Sequence, residues 1–213
     1  MIRWLTASLD APTPAADGFW PDVTGWTPSP SRVTLLPPYG DAFLRMRVVA
    51  DGPARAHLDL HVEDVAAEAG HMVRRGATVV RESDGTVVLR SPAGLPFCLV
   101  RWRGESVWPE AEGRRHRMCL DVPSALFDVE GRFWSRAIAR ERPTPLNLLL
   151  QRREGRPAGM HLHLERADRD AETQRHVGAG ASVVRVAADR TTLRDPAGRD
   201  YCLTDLPPRT AEG

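Results

Sequence analysis

The chain has 213 residues, of which 42% are hydrophobic and 27% charged, and its formal net charge is only +1. This balance disfavours nucleic acid and anionic membranes as partners, and the length suits two compact domains. The sequence has no run of 18 apolar residues and no signal-peptide pattern at its start, so a cytoplasmic location is expected. It contains no lysine. Lysine Schiff-base chemistry is therefore excluded, and arginine suits bidentate recognition of carboxylates or phosphates.

The N-terminal quarter predicts two strands separated by a weak helix. One strand runs through Trp4 and ends near Asp10, and the other covers residues 43–49. Between them, Gly18 and Pro21 interrupt a helical pattern, so this helix should be short or kinked.

Residues 56–62 alternate between polar and apolar side chains, which predicts a strand with two different faces. One face carries His57, Asp59 and His61. Asp64 can cap a following helix over residues 65–75, which a glycine ends. Three short strands should then cover residues 78–82, 86–90 and 97–102.

The same pattern returns 104 residues later without a gap. His161 and His163 open the second copy, and Asp168 can cap its helix over residues 169–177. Further strands are expected near residues 182–186, 191–194 and 200–204. A fixed period indicates a repeated structural unit. We therefore expect one domain over residues 1–103, a linker over 104–113 and a second domain over 114–213.

The first halves of the two copies are less alike, but Leu-Asp-x-Pro at residues 9–12 recurs at residues 120–123. A Phe-Trp pair also follows each of these segments. Cys98 and Cys202 occupy equivalent positions, whereas Cys119 has no counterpart. This pattern favours buried thiols over disulfides.

These segments, together with the Asp-Pro-Ala-Gly turn at residues 195–198, resemble the glyoxalase-like domains of the vicinal oxygen chelate superfamily. That superfamily also includes bleomycin-resistance proteins and extradiol dioxygenases. The resemblance implies an α+β fold in which four βαβββ modules form two domains. Each domain would be a curved mixed sheet around a cavity, with helices outside. The two domains should pair within the chain, and a homodimer is the other form of pairing expected in this fold.

The resemblance also implies a divalent metal in active members, held by residues on the first and last strands of each module. Carried over to this chain, those positions hold His57 and Cys98 in the first domain. Because one histidine and one thiol do not make a full ligand set, we expect no tightly bound metal there. In the second domain, His116, His161 and Asp200 form an alternative set of two histidines and one carboxylate.

A row of polar side chains on one sheet face is too costly to bury dry, so it should line a ligand cavity or solvent. We predict ligand contacts from the following residues: Trp4, His57, Asp59 and His61 in the first domain, and Arg117, His161, His163 and Asp200 in the second. Arginine and histidine favour an anionic or oxygen-rich organic molecule. Two alternatives are a metal-dependent lyase or dioxygenase with its site in the second domain, and a non-catalytic interaction or regulatory module.

Overall fold

The computed structural model describes residues 1–50, 52–109, 114–138 and 146–206. The elements of the first half are β1 (Ile2–Ala11), α1 (Phe19–Thr24), β2 (Thr27–Pro28), β3 (Thr34–Leu36), β4 (Leu44–Val48), β5 (Arg55–Val62), α2 (Val65–Arg74), β6 (Thr78–Ser83), β7 (Thr86–Arg90) and β8 (Pro96–Arg101). Its strands form one mixed sheet in the order β2-β3-β4-β1-β5-β8-β7-β6. We call this the first sheet.

The second half contains β9 (Arg114–Pro123), a 3-10 turn (Ser124–Leu126), α3 (Phe127–Ala137), β10 (Leu146–Arg153), β11 (Gly159–Arg166), α4 (Arg169–Gly178), β12 (Ser182–Val186), β13 (Thr191–Arg194) and β14 (Asp200–Asp205). Its six strands form the second sheet, in the order β10-β9-β11-β14-β13-β12. In the described residues, α3 is followed by the single strand β10 before β11, whereas three strands follow α1. The α+β fold with two glyoxalase-like domains is confirmed.

The second module of each half begins and ends its helix in the same way. Asp64 accepts a hydrogen bond from the amide of Ala67, and Asp168 accepts one from the amide of Ala171, both at 2.9 Å. After each helix a glycine adopts a positive φ, 106° at Gly76 and 111° at Gly180, which favours glycine and stops the helix. The repeat of 104 residues therefore predicted both helices to within one or two residues.

Each sheet has an apolar face and a polar face because successive side chains of a strand point to opposite sides. The apolar faces carry fully buried residues such as Leu58, Phe97, Leu162 and Tyr201. They belong to one hydrophobic core that contains residues of both halves. The two halves therefore pack through their apolar faces, and the polar faces remain for a site.

The packing between the halves is reciprocal. In α1, Trp20 packs edge-on against Tyr201 of β14, with ring centroids 5.2 Å apart. In α3, Trp134 packs in the same way against Phe97 of β8, with centroids 5.4 Å apart. The first helix of each half thus covers the second module of the other half. Both tryptophans are 1% exposed, as expected for core residues.

Buried carboxylates complete both contacts. The indole of Trp20 donates to Asp195 at 2.9 Å. On the other side of the interface, Glu130 accepts hydrogen bonds from its own helix neighbour Trp134, at 2.7 Å, and from the amide of Ala93, at 2.8 Å. Asp195 and Ala93 belong to the equivalent Pro-Ala-Gly turns of the two copies. At each of these turns, one half therefore forms a hydrogen bond to the first helix of the other half.

The predicted linker lies partly against the first half. Asp41 accepts hydrogen bonds from the amides of Ser106 and Val107, at 2.7 and 2.8 Å. Residues 110–113 of the linker lie outside the described residues, and its boundaries stay a prediction. All three cysteines are free and buried. No helix in the described residues is long and apolar enough to cross a membrane.

Candidate functional site

The polar face of the second sheet is built by three neighbouring strands. In β9 and β11, Cys119 lies opposite His161, and Arg117 lies opposite His163. In β11 and β14, His163 lies beside Cys202. Residues opposite each other on paired strands share a face. The register therefore brings two histidines, two thiols and an arginine onto one surface.

His161 forms an ion pair with Asp121, whose Oδ2 lies 3.1 Å from His161 Nδ1. Arg153 Nε donates to the other oxygen of Asp121 at 2.9 Å. Burial by itself would lower the pKa of His161, but Asp121 and the thiols of Cys119 and Cys202 outweigh it and raise this pKa to about 12. His161 is therefore a buried imidazolium at neutral pH.

The other ring nitrogen of His161, Nε2, has no direct contact with Asp121. In the described part of the chain, Nε2 is buried and makes no hydrogen bond of ordinary geometry, although the thiols of Cys119 and Cys202 interact with the ring. A buried donor without a partner is costly. His161 therefore offers an unused hydrogen-bond donor on the polar face.

His163 behaves differently although it lies two residues away on the same strand. Its Nδ1 lies 3.2 Å from Cys119 Sγ, and its Nε2 lies 2.8 Å from the hydroxyl of Thr204. Burial, with the positive charges of His161 and Arg117, lowers the pKa of His163 to about 4. His163 is neutral, and both of its nitrogens have partners within the sheet.

Arg117 forms an ion pair with Glu165. Its Nη2 lies 2.7 Å from Oε1 of Glu165, which is itself buried. Arg117 does not line the cavity described below. Arg117 is therefore not placed to contact a molecule in that cavity.

A cavity of about 590 Å³ lies at the end of the polar face where His161 and Cys202 are placed. Eight arginines line it, against three carboxylates. The arginines are Arg55, Arg152, Arg153, Arg156, Arg185, Arg190, Arg194 and Arg199, and the carboxylates are Asp121, Glu154 and Asp200. The volume is within the usual range for small-molecule sites. Its surroundings are strongly cationic.

Cys202 lies in the wall of this cavity. Its Sγ lies 3.6 Å from the hydroxyl of Thr192. Burial opposes ionisation of the thiol, but His161, Thr192 and Arg190 outweigh burial and lower its pKa.

The polar face of the first sheet carries a hydrogen-bonded network around a second histidine. His57 Nδ1 lies 3.0 Å from Asp10, and His57 Nε2 lies 3.1 Å from Asp59. Asp59 also accepts a hydrogen bond from Ser8 at 2.7 Å. Burial would lower the pKa of His57, but Asp10 and Asp59 raise it well above its ordinary value. Burial would raise the pKa of Asp59, but His57 lowers it to about 2.

The remaining predicted residues of the first domain lie at the margin of this network. His61 lies 2.9 Å from the hydroxyl of Thr6 and 3.3 Å from Glu105. Trp4 is 1% exposed and donates to the carbonyl of Ala42 at 3.0 Å. Trp4 is thus part of the hydrophobic core and does not present a ring for stacking on a ligand.

The alternative metal set in the second domain does not assemble, and that hypothesis is wrong. His116 lies on the apolar face of β9, where its ring packs against Phe43 and Trp26 with centroids 5.2 and 5.5 Å away. His161 lies on the opposite face of the sheet, because the residue opposite it is Cys119 and side chains alternate along a strand. Asp200 is exposed and bound to Arg194 at 2.6 Å.

The first domain brings together His57, Asp59 and Cys98, whose ligand atoms all lie within 4.8 Å of one another. This is the one such group among the residues that the structure describes. Both nitrogens of His57 are already bound to carboxylates, and the Arg45 guanidinium lies 3.5 Å from Asp59. A protonated histidine and an arginine repel a divalent ion, so these residues do not fit the metal of the superfamily. The absence of a tight metal there stays a prediction.

A family model described as a glyoxalase-like domain matches residues 6–100 and again residues 117–204. The chain belongs to the glyoxalase-like domain family. The resemblance seen in the sequence is thereby confirmed. No curated protein matches the chain.

This glyoxalase-like chain is similar in fold to extradiol dioxygenases. The homoprotocatechuate 2,3-dioxygenase of Arthrobacter globiformis is 12% identical, with a TM-score of 0.62, over 97% of this chain and 80% of that one. The 2,2',3-trihydroxybiphenyl 1,2-dioxygenase of Sphingomonas wittichii is 12% identical, with a TM-score of 0.61, over 97% of this chain and 91% of that one. The halotolerant catechol dioxygenase BphC is 13% identical, with a TM-score of 0.60, over 97% of this chain and 87% of that one. At these identities the likeness shows the fold alone.

Sequence reasoning missed the aspartates that hold the two central histidines. Asp10 and Asp121 occupy the same position of the repeated Leu-Asp-x-Pro segment, and each binds Nδ1 of the histidine that opens the next module. The repeated segment was therefore the available signal. Arg190 was also missed, because it precedes β13 in a loop without a distinguishing pattern.

Proposed function

We propose that the cavity of the second sheet binds a small anionic, oxygen-rich organic molecule. The observation that carries the proposal is the excess of arginines over carboxylates in a cavity of about 590 Å³. Guanidinium groups in a partly enclosed site form strong bidentate hydrogen bonds to carboxylates. Nearby walls of low dielectric strengthen this attraction relative to open water.

Not every arginine of the lining is equally available to a ligand. Arg199 is buried and bound to Asp195 at 2.7 Å, so it is structural. Arg194 is held by Asp200. Arg190 is 29% exposed, and its nearest carboxylate is the exposed Asp189 at 3.6 Å. We therefore assign the main anion contact to Arg190.

His161 supplies the second contact. Its unpartnered Nε2 gives an imidazolium donor on the same wall as Cys202. Arg153 is fixed beside it through their shared partner Asp121. Arg190 and His161 together offer an anion two directed donors, which favours a carboxylate over an isolated halide.

The test compares malonate with its neutral analogue malonamide by thermal unfolding of the full chain. A ligand that binds only the native state stabilises it, by about 2.7 kcal/mol at a hundred times its Kd. Malonate should raise Tm and malonamide should not. Arg190→Gln should remove at least half of the malonate shift. Arg3→Gln is the matched control, because Arg3 forms an exposed ion pair with Glu63 in the first half.

Equal shifts with malonate and malonamide, or an unchanged shift in Arg190→Gln, would contradict the proposal. A screen of larger acidic metabolites by the same measurement would then define the substrate class. Catalysis in the second domain stays an alternative, and a cytoplasmic location stays a prediction.

A further inference from the structure

The chemistry of the cavity wall goes beyond anion binding, because a thiol lies among its cations. Cys202 is 3% exposed, lies in the cavity wall and faces the same side of the sheet as His161. Thr192 of β13, whose hydroxyl lies near the thiol, is directly opposite Cys202 of β14. A thiol beside an imidazolium and an arginine is favoured to react as the thiolate.

His161 is held in place for this role by a chain of contacts. Arg153 holds Asp121 at 2.9 Å, and Asp121 holds His161 at 3.1 Å. A nucleophile next to a histidine that a carboxylate orients is a recurrent arrangement in covalent catalysis. Here the carboxylate fixes the ring through Nδ1 and leaves Nε2 unpartnered and buried. A buried donor that makes no hydrogen bond indicates that a ligand binds beside the thiol.

The first half of the chain provides an internal comparison. Cys98 is the equivalent thiol, but its neighbour across the strand pair is the carboxylate of Asp59, where Cys202 has the neutral His163. At the positions of Arg190 and Thr192, the first copy has a threonine and a valine. Both thiols have a protonated histidine nearby, since the ligand atoms of His57 and Cys98 lie within 4.8 Å of each other. The first copy lacks the arginine and the hydroxyl and has a carboxylate beside its thiol, so a thiolate is favoured more at Cys202 than at Cys98.

We propose that Cys202 is the nucleophile of this cavity and that it captures small anionic electrophiles, whose carboxylate Arg190 and His161 hold beside the sulfur. This inference rests on the proposed function, since the same cations bind the anion. It adds a covalent step and a chemical class of substrate, namely carboxylates that carry an electrophilic carbon close to the carboxyl group.

The covalent step is a displacement at carbon. The Cys202 thiolate supplies an electron pair to the electrophilic carbon, a sulfur–carbon bond forms, and the bond from that carbon to the leaving group breaks. The leaving group departs with its electron pair as an anion. The thiol proton has already gone to solvent, so no oxidant, reductant or other co-reactant is required.

The experiment compares iodoacetate with its neutral analogue iodoacetamide on the native full chain. The rate of modification at each cysteine is followed by peptide mass analysis. At Cys202, the ratio of the iodoacetate rate to the iodoacetamide rate should be about tenfold higher in the native chain than in the urea-unfolded chain. Arg190→Gln should bring this ratio most of the way back to the unfolded value.

Cys98 and Cys119 are the controls. Cys98 is 7% exposed and Cys202 only 3%, so accessibility alone would make Cys98 react first. The proposal expects Cys202 to react first with iodoacetate. Preferential modification of Cys98, no modification of Cys202, or equal rates of Cys202 with the two reagents would overturn it.

A second measurement separates this inference from the proposed function. Cys202→Ser keeps the arginines, so malonate should still raise its Tm. If that shift persists while Cys202 in the wild-type chain is unreactive, the nucleophile assignment fails and anion binding stands. If malonate has no effect on either chain, the proposed function fails as well.

Discussion

Trp20 and Asp195 are 175 residues apart in the sequence, yet the indole of one donates a buried hydrogen bond of 2.9 Å to the carboxylate of the other. Asp195 also accepts hydrogen bonds from the Arg199 side chain and from the amides of Ala197 and Arg199. One carboxylate therefore joins the first helix of the chain to a turn near its end. The contact links the two halves directly.

Trp20→Phe should lower the free energy of unfolding by about 1.5–3 kcal/mol, because it removes a buried hydrogen bond to a charged acceptor. Urea unfolding measures this change. Trp108→Phe is the control, since Trp108 is 40% exposed and its replacement should change stability little. If Trp20→Phe lowers the free energy of unfolding by less than Trp108→Phe does, the contact does not stabilise the association of the two halves.

The two helix caps should contribute equally, because the repeat reproduces them at the same distance of 2.9 Å. Asp64→Ala and Asp168→Ala should each lower the free energy of unfolding by about 1 kcal/mol. Glu63→Ala removes an exposed carboxylate paired with Arg3 and should cost less. A clear difference between the two cap variants in urea unfolding would argue against equivalent roles.

Stability should fall as pH rises above neutrality. The pKa of His161 is raised to about 12, so its contribution is complete below its ordinary pKa and is lost between that value and the raised one. From about pH 7 to about pH 9, the advantage of the wild type over His161→Gln should shrink by about 1.4 kcal/mol per pH unit. Urea unfolding at several pH values measures the slope.

His163→Gln is the matched control for this pH dependence. The pKa of His163 is lowered to about 4, so His163 is neutral over the whole range tested. This variant should keep the slope of the wild type above neutrality. A slope that disappears in His163→Gln and persists in His161→Gln would reverse the assignment.

The site around His57 in the first domain should hold no tightly bound divalent ion. The reason is that His57 already binds two carboxylates and that Arg45 lies 3.5 Å from Asp59. Elemental analysis of protein purified without chelator or affinity metal measures the content. Stoichiometric metal that His57→Ala removes would contradict the prediction. Any metal that depends instead on His161 would indicate a site in the second half.

The sequence was sufficient to predict the elements of the repeated modules but not the contacts between modules. The period fixed the order of strands and helices from residue 56 onward in each half, and the alternation correctly placed His57, Asp59 and His61 on one face. The His57–Asp10 and His161–Asp121 pairs depend on how β1 pairs with β5 and β9 with β11. Local periodicity contains no information about such pairing.

The structure places several candidate-site residues differently from the expectation, and each difference has a specific cause. The alternative metal set required His116 and His161 to lie on one face, but the register of β9 and β11 places His116 on the other face. Trp4 shares a face with polar residues, yet it is buried beside the loop that contains Ala42. Asp200 lies at the start of its strand, where the facing Arg194 captures its carboxylate. Each outcome was decided by a neighbour distant in sequence.

The reciprocal covering of each half by the helix of the other bears on how such a chain can arise by duplication. A single copy with these surfaces would have to form a homodimer to cover its apolar face. Joining two copies makes the association intramolecular, with an effective concentration of about millimolar for a short linker. It also frees the two contacts to diverge, so that one side now uses Asp195 and the other uses Glu130. The two polar faces differ as well, because that of the first sheet holds a network of its own hydrogen bonds and that of the second borders an arginine-lined cavity.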